Sequence, residues 1–359
     1  MGEYHSVLLQ RPGAVAGTGV DAAVAAHYGA PTREARKLAE GEALADLSHF
    51  EVLELSGADR QSWLDTLSTQ RINTLTAGNS TQTLLLSVQG RIEHEMKVLV
   101  DEDRLLLIVE PGRGQALQEF LLSMRFALRV EIENRSDEFG ILAATKPLDE
   151  VSALRWVDPW PGVSEGGFAY SAADHPAVER PWVLHLVPLA ELEERVGDHP
   201  LAGMMAVEAL RIAAWQPRLG HEVDERTIPH ELDWLRTAVH LSKGCYKGQE
   251  TIARVHNIGH PPRRMVFLHL DGSMHTLPAE GSPVMLGERQ VGTLTSAALH
   301  YEAGPIALAV IKRGVDPQAE LTVVDGESTY PVAQEVIVAP DAGQTAGRFT
   351  GFIRTPPRH

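Results

Sequence analysis

The chain has 359 residues with 32 Lys+Arg against 48 Asp+Glu, a formal net charge of -16, and a field of that sign repels nucleic acid and anionic membranes wherever no local basic patch overrides it. Its one cysteine excludes an intrachain disulfide and an iron–sulfur site built from protein thiolates alone. At this length, with 43% hydrophobic residues, two or three domains are expected.

The opening "MGEYHSVLLQRPGAVAG" lacks a basic segment followed by a sustained apolar run, and no 18-residue apolar stretch occurs, so the chain is read as soluble and cytoplasmic. "MGEYHS" fits the N-myristoylation pattern through Gly2 and Ser6, without the polybasic neighbours that stable anchoring needs. Residues 1–40 are rich in Ala and Gly and read as a loosely ordered leader.

From residue 41 the pattern sharpens. "FEVLELSG" alternates as a strand does, and "ADRQSWLDTLST" sets Trp63, Leu64 and Leu67 on one helical face. "TQTLLLSVQGRIEHEMKVLVDEDRLLLIVE" gives three strand-like runs, the last two joined across Asp101, Glu102 and Asp103. "GRGQALQEFLLSMRF" reads as a helix, and "ALRVEIENR" and "EFGILAAT" return to strands. The order is that of an α+β sandwich of ferredoxin-like units.

Pro, Gly and Ser crowd residues 148–180 and mark a junction. "WVLHLVPLAELEERVG" reads as strand then helix. "LAGMMAVEALRIAAW" is a second helix, with Met205, Ala209 and Ile212 offered to the core. From 263, "RRMVFLHL", "SPVMLGERQVGTLTSAAL", "PIALAVIKRG" and "AELTVVDG" are short, turn-separated runs of the kind that close a small β-barrel. The expected division is 1–150 and 151–262 for two α+β lobes, 263–338 for the barrel and 339–359 for a tail.

The single thiol, Cys245, lies in "LSKGCYKGQETIARV". The residues after Gly248 favour helix, so Cys245 sits just ahead of a helix N-terminus, where free N–H groups and the helix dipole favour thiolate. Lys243 and Lys247 flank it and act in the same direction. Between Leu241 and Met265 five cations (Lys243, Lys247, Arg254, Arg263, Arg264) meet one anion, Glu250, a local balance of +4 that suits an anionic ligand. The competing reading is an inert cysteine beside a solvated basic face. His256 and His260 have the i, i+4 spacing of metal ligands, but "HNIGHPP" is too rich in Gly and Pro for a regular helix, and no metal site is assigned.

"KGCYKGQE" resembles the K-G-C-x-x-G-Q-E signature of the YgfZ-type folate-binding proteins, which are linked to maintenance of iron–sulfur enzymes and related to the aminomethyltransferase (T-protein) of glycine cleavage. "ALADLSHFEVLELSGADRQSWLDTL" and "EALRIAAWQPRLGHEVDERTIPHEL" resemble further segments of both families, so the likeness covers roughly residues 40–335 in family order.

The resemblance implies a three-lobed ring whose central hole binds tetrahydrofolate. It also implies Cys245 as the working thiol with Lys243 and Lys247 beside it, and transient contact with an iron–sulfur cluster. Iron–sulfur assembly proteins or client enzymes would be the partners, with neither DNA nor membrane. Glu208 and Arg211 fall in the segment implied to face the pterin, Arg254 would meet the glutamate tail, and Gln249 belongs to the signature. The plainer reading of Glu208 and Arg211 is an i, i+3 surface ion pair.

In the aminomethyltransferases the stretch like "VQGRIEHEMKVLV" carries an Asp that positions folate. Here Glu95 stands in its place, preceded by His94. One extra methylene misplaces the carboxylate enough to cost orders of magnitude in rate. The expected function is thus a folate-binding factor in iron–sulfur cluster assembly or repair, with a folate-dependent aminomethyltransferase or other one-carbon enzyme as the alternative.

Overall fold

The structure, a computed structural model, describes residues 4–171 and 174–345. Gly2 and the tail beyond residue 345 lie outside the described residues. The strands Ser80–Leu86, Ile92–Asp101, Arg104–Val109, Glu51–Ser56 and Glu131–Asn134 form, in that order, an antiparallel sheet. The run "RLLLIV" is apolar throughout because both its faces are covered. Leu105, Leu107 and Val109 pack against Trp63, Leu64, Leu117 and Leu121 of the helices Arg60–Leu67 and Gly114–Met124. Leu106 and Ile108 face the opposite way, onto Ile141, Ala143, Leu184 and Leu186 of a second sheet.

That second sheet runs Arg155–Val157, Val183–Pro188, Phe139–Ala144, Leu44–Asp46 and Leu201–Ala202, with the last two parallel. It therefore joins strands from both sides of residue 150. The register Val183↔Ala144 through Pro188↔Phe139 ties the two segments along their full length.

The C-terminal strands close into the six-stranded barrel that the sequence suggests, in the order Arg263–Leu270, Gly304–Lys312, Arg289–His300, Pro283–Leu286, Leu321–Asp325 and Ser328–Val336. Alternation sets its inside and outside. Val266, Leu268 and Leu270 fill the barrel. Met265 and Phe267 face outward into the central cluster with Trp160, Trp215 and Leu84. The chain is thus a mixed α/β fold with a closed C-terminal barrel.

Two expectations are corrected. The N-terminal leader is built into the core: Leu8 is fully buried, the hydroxyl of Ser6 donates to Asp46, and the helix Pro31–Ala39 packs on Met204–Ala213. Composition misled there, because the leader's partners lie far along the chain. Met205 is 46% exposed, while Met204 is buried in its stead. Among the described residues no helix is long and apolar enough to cross a membrane.

Candidate functional site

A cavity of about 480 Å³ opens where the N-terminal segment, both sheets, the helix Met204–Ala213 and the barrel converge. That helix supplies Glu208 and Arg211 one turn apart, and both line the cavity. Arg211 grips both oxygens of Glu208 through Nε at 3.0 and 3.1 Å and through Nη2 at 2.6 Å. It also donates to Glu222 at 3.0 Å, to Ser296 at 2.7 Å and to the Gln216 carbonyl at 2.7 Å.

Arg218, beside it, donates to Glu110 at 2.8 Å, to Asp21 at 2.7 and 3.1 Å and to Glu208 at 3.3 Å. Four carboxylates thus surround two guanidiniums in a largely desolvated network, where each charge requires its partners. Burial alone would raise the Glu208 carboxyl, but Arg211 and Arg218 outweigh it and hold the group down at about 2. Glu208 is 19% exposed, and it also borders a second cavity of about 240 Å³ beside Met205 and Leu299.

The strand Ile92–Asp101 forms another wall. Glu95 and Lys97, two residues apart, lie on one face of it. Glu95 is only 2% exposed and does not line the cavity. It accepts from Gln82 at 2.9 Å and from the Lys97 ammonium at 3.2 and 3.1 Å. Lys97 does line the cavity, with its ammonium 5.6 Å from the centre of the Phe50 ring. Burial works against the charge on Lys97, yet Glu95 and Glu110 outweigh it and raise the group above its ordinary value.

Asp158 faces the same space, accepting from the Trp160 N–H at 2.9 Å and from Gln216 at 2.6 Å. Burial pushes it up to about 6, against the pull of those two donors. Exposed Lys146 and half-buried Arg180 also border the cavity. Nη1 of Arg180 is shielded from solvent and has no hydrogen-bond partner among the described residues.

The cysteine segment lies elsewhere. Cys245 is an exposed free thiol in a shallow depression with Leu67, Leu86, Phe120 and Met124, which shares no lining residue with the 480 Å³ cavity. The helix Gln249–Ile258 begins just after it, as the sequence suggests. The hydrogen bonds of the flanking lysines go to other groups. Lys243 is buried and donates to the backbone carbonyls of Asp65, of Ser68 at 2.9 Å and of Gln70 at 2.8 Å, closing the C-terminal end of the helix Arg60–Leu67. Lys247 meets Glu93 at 3.1 Å.

Gln249 ties back to the carbonyls of Lys243 and Gly244 at 3.3 and 3.5 Å. Arg254 is 64% exposed, pairs with Glu250 at 2.7 Å and is not in the cavity lining. His256 bonds the Tyr170 hydroxyl at 3.0 Å and His260 the Ala342 carbonyl at 2.7 Å, so the two histidines serve different elements.

Of the residues singled out in the sequence, then, Glu208 and Arg211 come together at the cavity. Cys245 and Lys247 share the shallow depression, and Glu95 stands behind Lys97. Sequence reasoning missed Lys97, Asp158, Arg180, Arg218 and Asp21. Lys97 was within reach, because strand parity places a charge on the inward face with Glu95. Asp158, Arg180 and Arg218 arrive from loops and Asp21 from the single turn Gly19–Asp21, and none carries a periodic signal.

Comparison with known proteins agrees with this architecture. The GCVT N-terminal domain model matches residues 6–148. The chain is 28% identical over 327 residues to a chloroplastic Arabidopsis thaliana protein whose name gives it a provisional transferase role, covering 82% of this chain and 71% of that one. It is 24% identical over 302 residues to an aminomethyltransferase of Pseudothermotoga lettingae, covering 78% and 82%. The crystal structure of the glycine cleavage system aminomethyltransferase T from Bartonella henselae superposes with a TM-score of 0.71 over 94% of this chain and 96% of that one, at 18% identity. The chain therefore has the fold of that aminomethyltransferase and is similar in sequence to proteins named as aminomethyltransferases.

Proposed function

We propose that this protein binds a reduced folate, tetrahydrofolate or a derivative, in the central cavity and works as a cytoplasmic factor in iron–sulfur cluster assembly or repair, with Cys245 as its working thiol. Folate is supported by the chemistry of the cavity. Glu208, held ionised by two arginines, is a carboxylate of the kind that accepts from the 2-amino and N3–H edge of a pterin. Arg180 Nη1, without a partner among the described residues, and Lys146 suit the carboxylates of a glutamate tail.

The observation that favours an assembly factor over a transferase is the state of Glu95, which is buried behind Lys97 and neutralised by it. Unlike Glu208, Glu95 does not line the cavity, so it is not offered to a folate nitrogen. The exposed thiol supplies a separate reactive group, and the assignment of iron–sulfur enzymes as clients rests on the likeness of "KGCYKGQE" to the YgfZ-type signature. Aminomethyl transfer remains the second reading, favoured by the shared fold and by relatives named as aminomethyltransferases.

Calorimetric titration with tetrahydrofolate tests the first half: saturable binding is expected, weakened in Glu208→Ala, and no heat at millimolar folate refutes it. Deleting the gene and complementing it with Cys245→Ser tests the second half. Loss of iron–sulfur enzyme activities that the Ser variant does not restore is expected. Full restoration together with robust turnover in a reconstituted glycine-cleavage assay would make the protein a transferase.

A further inference from the structure

Lys97 is a largely buried cation on the wall of the central cavity. Its side chain is 13% exposed, and among the described residues its hydrogen bonds go only to the two oxygens of Glu95. An ammonium has three N–H donors and no acceptor, so at least one donor is left over on a residue that lines the cavity. Phe50 lies 5.6 Å from Lys97 and 5.7 Å from Arg218, which in turn reaches Glu208 at 3.3 Å. Lys97 and Arg218 thus approach the same aromatic ring, and Arg218 touches the carboxylate suited to the pterin's amino edge. Asp158 borders the same cavity and adds an O–H donor when protonated.

A fixed ammonium with a spare donor, in a site shielded from bulk water, attracts an acceptor oxygen. We propose that the cavity selects reduced folates bearing a formyl group, on N5 or N10, with Lys97 as the donor to the formyl oxygen. This inference rests on the folate reading above and names the form of folate involved.

The test is a set of calorimetric titrations of the full-length protein with tetrahydrofolate, 5-methyl-, 5-formyl- and 10-formyl-tetrahydrofolate. One of the formyl forms is expected to bind roughly tenfold tighter or more than the 5-methyl form, which fills N5 without offering an acceptor. The preference should collapse in Lys97→Met. Because that change leaves Glu95 unpaired, the double variant Glu95→Gln/Lys97→Met is measured alongside, with thermal melts to verify folding. Equal affinities for all forms, or an unchanged preference in a folded variant, overturn the inference while leaving folate binding intact. Absence of binding by every form overturns the folate reading and this inference with it.

Discussion

Arg218 holds Asp21, 197 residues earlier in the chain, with two hydrogen bonds of 2.7 and 3.1 Å while its remaining N–H groups reach Glu110 and Glu208. This clamp ties the N-terminal segment to the charged network on the cavity wall. Removing a buried cation strands the carboxylates around it, which costs about 3–5 kcal/mol. Arg218→Met should therefore lower unfolding free energy by that order, and Asp21→Asn, which keeps an acceptor for Arg218, by less than half as much. Urea denaturation of both variants measures this, and equal losses would show that the cluster does not work as a clamp.

The cavity carboxyls titrate in opposite senses. Glu208 has its folded value depressed from about 4.5 to about 2. Its contribution is present above pH 4.5 and is lost as pH falls toward 2. Asp158 has its folded value raised from 3.8 to about 6, because burial outweighs its two donors. A folded state that holds the proton more tightly loses stability as pH rises from 3.8 to 6. Asp158→Asn removes that decline, so the variant should be more stable than the parent at pH 7, and the gap should close toward pH 4. Parallel stability curves across pH 4–7 would show that Asp158 ionises as freely folded as unfolded.

Periodicity carried most of the fold into view, and failed where partners are distant. "FEVLELSG", "RLLLIV" and the barrel runs were legible because each strand has a fixed parity of burial. The helix after Gly248 and the pairing of Glu208 with Arg211 were legible too, being local. The joining of Phe139–Ala144 to Val183–Pro188 was not, since nothing within either segment names its neighbour. The same limit hid the site's cations. Arg218 acquires meaning only when residues 21, 110 and 208 converge on it. Lys243 shows the converse, because beside Cys245 in sequence it reads as a thiol activator, whereas its ammonium is spent on the carbonyls at residues 65, 68 and 70.

The cysteine segment is seated on the hairpin that leads into the strand of Glu95 and Lys97. Gly248 has φ +86°, and a Cβ there would lie 2.6 Å from the Ser87 carbonyl oxygen. Opposite it Gly90 has φ +76° and would place a Cβ 2.9 Å from that of Thr251. Gly248→Ala is strained both by backbone and by contact, with an expected cost of about 1–3 kcal/mol. Its thermal midpoint should fall by several degrees, and the accessibility of Cys245 to a thiol reagent should change with it. A melt indistinguishable from the parent would mean that the hairpin yields freely.

Cys245 and Lys243 should separate cleanly in stability and reactivity. The thiol is exposed, and no hydrogen bond ties it to the rest of the chain among the described residues. A surface substitution of this kind usually alters stability by no more than about 0.5 kcal/mol, so Cys245→Ser should melt with the parent. Native protein should react with iodoacetamide without prior unfolding. Lys243→Met keeps most of the side-chain volume but removes the donors that satisfy three backbone carbonyls, and orphaned buried acceptors cost about 1–3 kcal/mol. That variant should unfold earlier and loosen the segment that carries the thiol, raising the alkylation rate of Cys245. Lys247→Met loses two partly exposed contacts, with Glu93 and with the Phe120 ring, and should change stability by no more than about 1 kcal/mol. If Cys245→Ser proves destabilising while Lys243→Met does not, the thiol is part of the packing and Lys243 is not the anchor of its loop.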